Sequence, residues 1–260
     1  MTNDTIHNPN SATPLLPVSN VVTGTRSLLI FDVNGLFVER KHRSELRKTT
    51  MPRTHDFVTR KNLCVYIRPH TREFLEFVFE HFDVGFWSSM TKENMYDILT
   101  KLLTSKQVNA TKIVLTQDDC RMTGEYVENT KKPVFYKVLD WLWTKAEIQT
   151  SRLATSSYRN NVLLIDDSPH KAKFNPPHTA IHPTTYTLFH LEPEDTELLR
   201  LQSYLEGSLN ASSLRTYVRD NPYDETFSMN QKSECSIDNE KKQSWVSVLW
   251  RSLYLLWCRR

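Results

Sequence analysis

The residues of this chain best suited to chemistry stand at the ends of short apolar runs. Asp32 closes Ser27-Leu28-Leu29-Ile30-Phe31, Asp166 and Asp167 close Asn161-Val162-Leu163-Leu164-Ile165, and Ser88 and Ser89 follow Val84-Gly85-Phe86-Trp87. Carboxylates gathered at one site repel unless a cation compensates them, and oxygen donors alone favour a hard ion such as Mg2+ over zinc. His170 and His178 flank the acidic turn without a third ligand and read as surface groups. Ser88 and Ser89 offer hydroxyls and backbone N–H groups ahead of a helix start, which suits a phosphate oxygen, and Lys137 could neutralise a second phosphate charge. Singly each is commonplace, because a Ser after a strand usually caps a helix and a Lys is usually solvated. Their ordered occurrence across four loops carries the argument.

Those loops need a scaffold. A short, wholly apolar run that ends in a turn is the pattern of a strand covered on both faces. Such runs end at Phe31, Trp87, Leu115 and Ile165, and helical patterns separate them. Thr71 is predicted to cap a helix with the stripe Phe74, Leu75, Phe77, Val78 and Phe82; a second helix runs from Thr91 to about Leu103, and a third from Val134 to about Lys145 with Lys137 at its start. The expectation is an α/β fold, a doubly wound and mainly parallel sheet, with a small insertion after the first strand. That insertion lies in the basic stretch Val38 to Arg72, where Leu63–Ile67 reads as a strand. Ligands of such sheets sit beyond the carboxyl ends of the strands, the edge from which Asp32, Ser88 and Asp166 depart. Helices at roughly Pro193–Glu206 and Ala211–Val218 close the domain.

The chain has 260 residues, of which 39% are hydrophobic and 24% charged, enough for one large domain with appendages. The expected division is a disordered polar leader at 1–25, a domain at 26–218, a polar linker at 219–244 and an aromatic amphipathic tail at 245–260. Five dispersed glycines exclude a glycine-built phosphate loop, and a formal charge of +3 is too mild for a nucleic-acid binder. Four unpaired-looking cysteines point to a cytosolic or nuclear protein. No apolar run is long enough to span a bilayer, and the first twenty residues carry no Arg or Lys, as a signal or targeting helix would.

Three segments in order, Leu29-Ile30-Phe31-Asp32-Val33-Asn34-Gly35-Leu36, Gly85-Phe86-Trp87-Ser88-Ser89 and Leu163-Leu164-Ile165-Asp166-Asp167-Ser168-Pro169, resemble motifs of the haloacid dehalogenase superfamily. Within it the chain resembles the NLI-interacting factors and small RNA polymerase II C-terminal-domain phosphatases, and is closest to a plant branch of that group. The resemblance covers about residues 26–218. Lys132-Pro133-Val134-Phe135-Tyr136-Lys137 looks like the third motif, while Asn175-Pro176-Pro177-His178-Thr179-Ala180 and Asn221-Pro222-Tyr223 look like markers of the branch. The resemblance implies that Asp32 is the nucleophile forming a phospho-aspartate, that Ser88 holds the phosphoryl group and that Lys137 neutralises it. It also implies that Asp32, the carbonyl of Asn34 and Asp166 hold Mg2+, with Asp167 adjacent or just behind.

Asn34 departs from the pattern. Active members have an aspartate there that protonates the leaving alcohol and then activates water, and an amide can do neither. General acid–base help is worth roughly 10² to 10⁴ in rate, so hydrolysis of a phosphoserine ester should be crippled, although a carbonyl ligand to metal survives the change. Leu36 also replaces a usual threonine. Two readings follow: a weakened Mg2+-dependent protein serine/threonine phosphatase, or a pseudo-phosphatase that binds phosphorylated or acidic peptides with the Arg40–Arg72 region as a basic rim. A third, a presequence-binding module like that of a mitochondrial translocase subunit, lacks the expected targeting helix and membrane span, so the nucleus or cytoplasm is favoured over the mitochondrion. The protein is expected to be a monomer. Residues 245–258, with three tryptophans, form a broad apolar face suited to a protein contact or, second, a membrane surface.

Overall fold

The computed structural model describes residues 26–46, 53–126, 131, 133–145, 156–188 and 195–224. The leader and the aromatic tail therefore lie outside the described residues. Among those described, no helix is long and apolar enough to cross a membrane.

The first strand, β1 (Leu28–Phe31), becomes the centre of a five-stranded sheet. After it come β2 (Val38–His42), the single turn α1 (Arg43–Leu46), β3 (Phe57–Val58) and β4 (Leu63–Ile67). The helix α2 (Thr71–His81), β5 (Asp83–Trp87), α3 (Lys92–Leu102), α4 (Ser105–Ala110) and β6 (Ile113–Leu115) follow. The remaining elements are α5 (Leu139–Leu142), α6 (Ser156–Asn160), β7 (Val162–Ile165), β8 (Ala180–Ile181), α7 (Glu197–Gly207) and α8 (Leu214–Asp220). The sheet order is β6-β5-β1-β7-β8, and every pairing in it is parallel. This is the α/β arrangement expected from the apolar runs.

Alternation along β1 explains why helices cover both faces. Leu29 and Phe31 pack with Phe74, Val78, Ile98 and Leu201 from α2, α3 and α7, whereas Leu28 and Ile30 pack with Leu139, Leu142 and Tyr158. The insertion after β1 is a separate antiparallel sheet in the order β2-β4-β3, with Arg40 opposite Val65. Arg68 fixes it to the domain. This guanidinium is 2% exposed, pairs with Asp195 at 3.0 Å, and donates to the carbonyls of Leu36 at 3.2 Å and Thr184 at 2.9 Å.

Two local expectations are corrected. Thr71 is the first residue of α2 rather than its cap; the cap is His70 in the left-handed region, and the Thr71 hydroxyl donates to the Arg68 carbonyl at 2.7 Å. The helix expected over Val134–Lys145 shrinks to Leu139–Leu142. Tyr136 instead exchanges backbone hydrogen bonds with Arg121, and the Lys137 amide donates to the Lys171 carbonyl at 2.8 Å, so tertiary partners take the bonds that a helix would have used. At the other end α8 runs on to Asp220, and Tyr223 lies 4.9 Å from the Tyr204 ring, so residues at the head of the expected linker pack on the domain.

Candidate active site

Asp32 sits at the carboxyl end of β1, where its amide extends the ladder to the Ile165 carbonyl at 2.8 Å. Asp166 occupies the same level at the end of β7, its amide bonded to the Ile181 carbonyl of β8. The two side chains are 1% and 0% exposed, and Ser88, at the end of β5, is 1% exposed. Adjacent strand ends thus bring residues far apart in sequence to one edge of the sheet. Lys137 reaches them from the opposite wall. Its segment is clamped by Asn175, which donates to the Lys137 carbonyl and accepts from the Leu139 amide, both at 2.8 Å.

The Lys137 ammonium lies 2.5 Å from Asp166 Oδ2 and 3.3 Å from Asp32 Oδ1. A second lysine, Lys171, donates to Asp32 Oδ2 at 2.6 Å and lies 3.2 Å from Asp166 Oδ1. Burial by itself would raise the Asp32 carboxyl, but Lys137 and Lys171, together with the Lys171 and Val33 hydrogen bonds, hold it well below the usual carboxylate range. The Asp32 carboxyl is therefore held in its ionised form at neutral pH. Burial also works against the Lys171 charge, yet Asp32 and Asp166 keep its pKa above the ordinary lysine range. Asp167 faces the opposite balance: burial and then the Asp32 charge push it up to about 6. Burial pushes the Cys120 thiol up to about 11, which leaves little thiolate at neutral pH.

One oxygen from each of Asp32, Asp166 and Asp167 falls in a cluster whose atoms lie within 4.8 Å of one another. Asp167 Oδ2 accepts from the Thr185 hydroxyl at 2.9 Å, but its buried Oδ1 has no hydrogen-bond partner. An orphaned carboxylate oxygen in an all-oxygen cluster fits a hard divalent cation such as Mg2+. Gly35 makes room for it. Its φ is +88°, and a Cβ there would lie 2.4 Å from Asp167 Oδ2, so only glycine allows both the turn and the close approach.

Above these groups opens a cavity of about 360 Å³ bordered by Asp32, Asn34, Arg40, Ser88, Lys171 and the Pro133–Phe135 wall. The structure thus gathers Asp32, Asn34, Ser88, Lys137, Asp166 and Asp167 at one place. Leu36 is fully buried in the core instead of facing the cavity. Sequence reasoning missed Lys171, whose one signal is its place five residues after Asp166 beyond Pro169, in a 3-10 turn. On sequence alone Arg40 belongs to a diffuse basic rim. The strand register singles Arg40 out, and its Nε donates to Asn34 Oδ1 at 2.9 Å.

A parallel sheet with strand-end carboxylates, two lysines and a serine around one cavity defines a haloacid dehalogenase-like phosphatase domain. A model of the NLI interacting factor-like phosphatase family matches residues 27–215, and the chain belongs to that family. It is 24% identical over 235 residues to an uncharacterized FCP1 homology domain-containing protein of Schizosaccharomyces pombe, covering 85% of this chain and 92% of the relative. It is 28% identical over 151 residues to a CTD phosphatase-like protein of Invertebrate iridescent virus 3, covering 55% of this chain and 72% of that protein. Among solved structures it is similar to Fcp1, described as an essential RNA polymerase II CTD phosphatase, at a TM-score of 0.42 and 15% identity over 77% of this chain. The chain spans about half of that structure, 54% of its length.

Proposed function

We propose that the chain is a Mg2+-dependent protein phosphatase of reduced activity that acts on a phosphorylated protein segment through an aspartyl-phosphate intermediate. The observation that carries this reading is the ionised Asp32 carboxylate at the floor of the cavity, held by two lysines. In the first step an Asp32 oxygen bonds to phosphorus while the bond from phosphorus to the leaving oxygen breaks, and that oxygen keeps the electron pair. Water then attacks the phosphorus of the aspartyl phosphate, inorganic phosphate leaves, the Asp32 carboxylate is restored, and the water proton passes to solvent or phosphate. Lys137 neutralises charge on the transferred group, and Ser88 holds one of its oxygens. When bound, Mg2+ would be held by Asp32, Asp166, Asp167 and the Asn34 carbonyl, and would supply Lewis-acid stabilisation of phosphoryl charge. Asn34 supplies no proton, so turnover of alkyl phosphates should be slow.

Purified protein with Mg2+ should hydrolyse 4-nitrophenyl phosphate, and Asp32→Asn should abolish this. No turnover of either the aryl phosphate or a phosphoserine peptide, together with measurable phosphopeptide binding, would replace the reading with that of a pseudo-phosphatase.

A further inference from the structure

Four basic residues of the insertion and its flanks are committed to carboxylates. Lys41 pairs with Glu39, Arg53 with Asp56, Lys61 with Glu93 and Arg68 with Asp195. Arg40 differs from these four, and it lines the cavity that contains Asp32. Among the described residues no carboxylate pairs with it, and its one hydrogen bond runs from Nε to the neutral Asn34 amide. Lys137 and Lys171 are already shared between Asp32 and Asp166, so a phosphoryl dianion entering that cavity meets Arg40 as a further cation.

The contact also sets the direction of the Asn34 amide. A guanidinium has donors only, so the atom it meets must be the amide oxygen, which leaves the Asn34 NH2 as the end free to face a ligand. Where an acid–base carboxylate would stand, the cavity therefore presents N–H donors that cannot release a proton.

We infer that Arg40, with the Asn34 amide it orients, binds the phosphoryl anion and restricts turnover to phosphates whose leaving group departs as a stable anion, such as aryl esters and anhydrides. The restriction rests on the phosphatase reading above, whereas the anion contact does not. In the restricted reaction the Asp32 oxygen forms its bond to phosphorus, the bond from phosphorus to the leaving oxygen breaks, and that oxygen departs with the electron pair and no proton.

The full chain with Mg2+ is titrated with inorganic phosphate by calorimetry and assayed on aryl phosphates of graded leaving-group acidity and on a phosphoserine peptide. Arg40→Gln should weaken phosphate binding and lower kcat/KM for 4-nitrophenyl phosphate about tenfold each, with part of both losses recovered in Arg40→Lys. Wild-type rates should fall steeply as the leaving group becomes more basic. Phosphate affinity unchanged within about twofold in Arg40→Gln, or no phosphate binding by the wild type, overturns the anion contact. Hydrolysis of the peptide as fast as 4-nitrophenyl phosphate overturns the restriction. If no substrate in the series is hydrolysed in an Asp32-dependent way, the phosphatase reading and the restriction fall together, and the phosphate titration still decides the contact.

Discussion

Replacing Asn34 with Asp would place a carboxyl group where the proposed mechanism lacks an acid–base residue, and the contact with Arg40 would set the outcome. General acid–base catalysis is worth roughly 10² to 10⁴ in rate, or about 3 to 5 kcal/mol of barrier. The new carboxylate would stand where Asn34 Oδ1 now accepts from Arg40 Nε at 2.9 Å. A cation at that range lowers a carboxyl pKa by about 1 to 3 units, and each unit costs about tenfold in protonated acid at neutral pH. Subtracting one range from the other leaves a net gain of about tenfold in phosphoserine-peptide hydrolysis for Asn34→Asp alone. The sharper readout is the pH profile of kcat. Asn34→Asp should introduce a fall on the alkaline side as the new acid ionises, and the double variant Asn34→Asp/Arg40→Gln should move that fall upward by about 1 to 3 pH units. Phosphate-contact loss in the double variant lowers the height of the profile but not the position of its limb. Superimposable limbs in the two variants, or no new limb in either, would refute the reasoning.

Other consequences can be checked by stability and metal titration. Lys171→Met leaves Asp32 and Asp166 with one shared lysine; it should cost about 3 kcal/mol, and Mg2+ should raise its Tm more than that of the wild type, a calorimetric comparison that fails if the two shifts are equal. Gly35→Ala forces a side chain into the left-handed turn and against Asp167, so both Tm and Mg2+ affinity should fall; retention of wild-type metal affinity would count against Asp167 as a ligand. Glu197 is the third case. Burial would raise its carboxyl, but bonds from Arg200, the Thr184 amide and the Tyr223 hydroxyl hold it below its ordinary value of 4.5. Its stabilisation is therefore present above pH 4.5 and lost as pH falls through the lowered folded value, so Glu197→Gln should cost about 2 kcal/mol at neutral pH in denaturant melts and progressively less in acid. A constant difference across that range would show that the carboxylate charge is not what stabilises the contact.

The long-range frame was legible because buried parallel strands advertise themselves. Leu28–Phe31 and Val162–Ile165 carry no polar residue, and both end on the aspartates that the sheet then brings side by side. The edge strand β8 was not legible, because two residues, Ala180 and Ile181, are too few to display a pattern. Val138 and Leu142 have helical spacing, yet Asn175 and the Lys171 carbonyl hold the segment before Leu139 extended. Asp32, Ser88 and Asp166 could be found from their strand ends. Arg40 and Lys171 could not, since one is a single basic residue in a basic stretch and the other lies in a turn. Only the β2–β4 register and the 3-10 turn after Pro169 separate them from solvated neighbours.

The pairing of β1 also bears on how the chain is made. Leu28 meets Asp83 on one side and Val162 on the other, so the second edge of the central strand waits about 130 residues for its partner. At about 5 to 20 residues per second, ribosomes need roughly 7 to 26 s to supply it. During that interval a wholly apolar strand ending in Asp32 has one open edge, and the lysines that neutralise that aspartate have not all been synthesised. A translation pause before Val162 would prolong this exposure, making the nascent chain most dependent on chaperones just before the Asp32–Asp166 cluster can close.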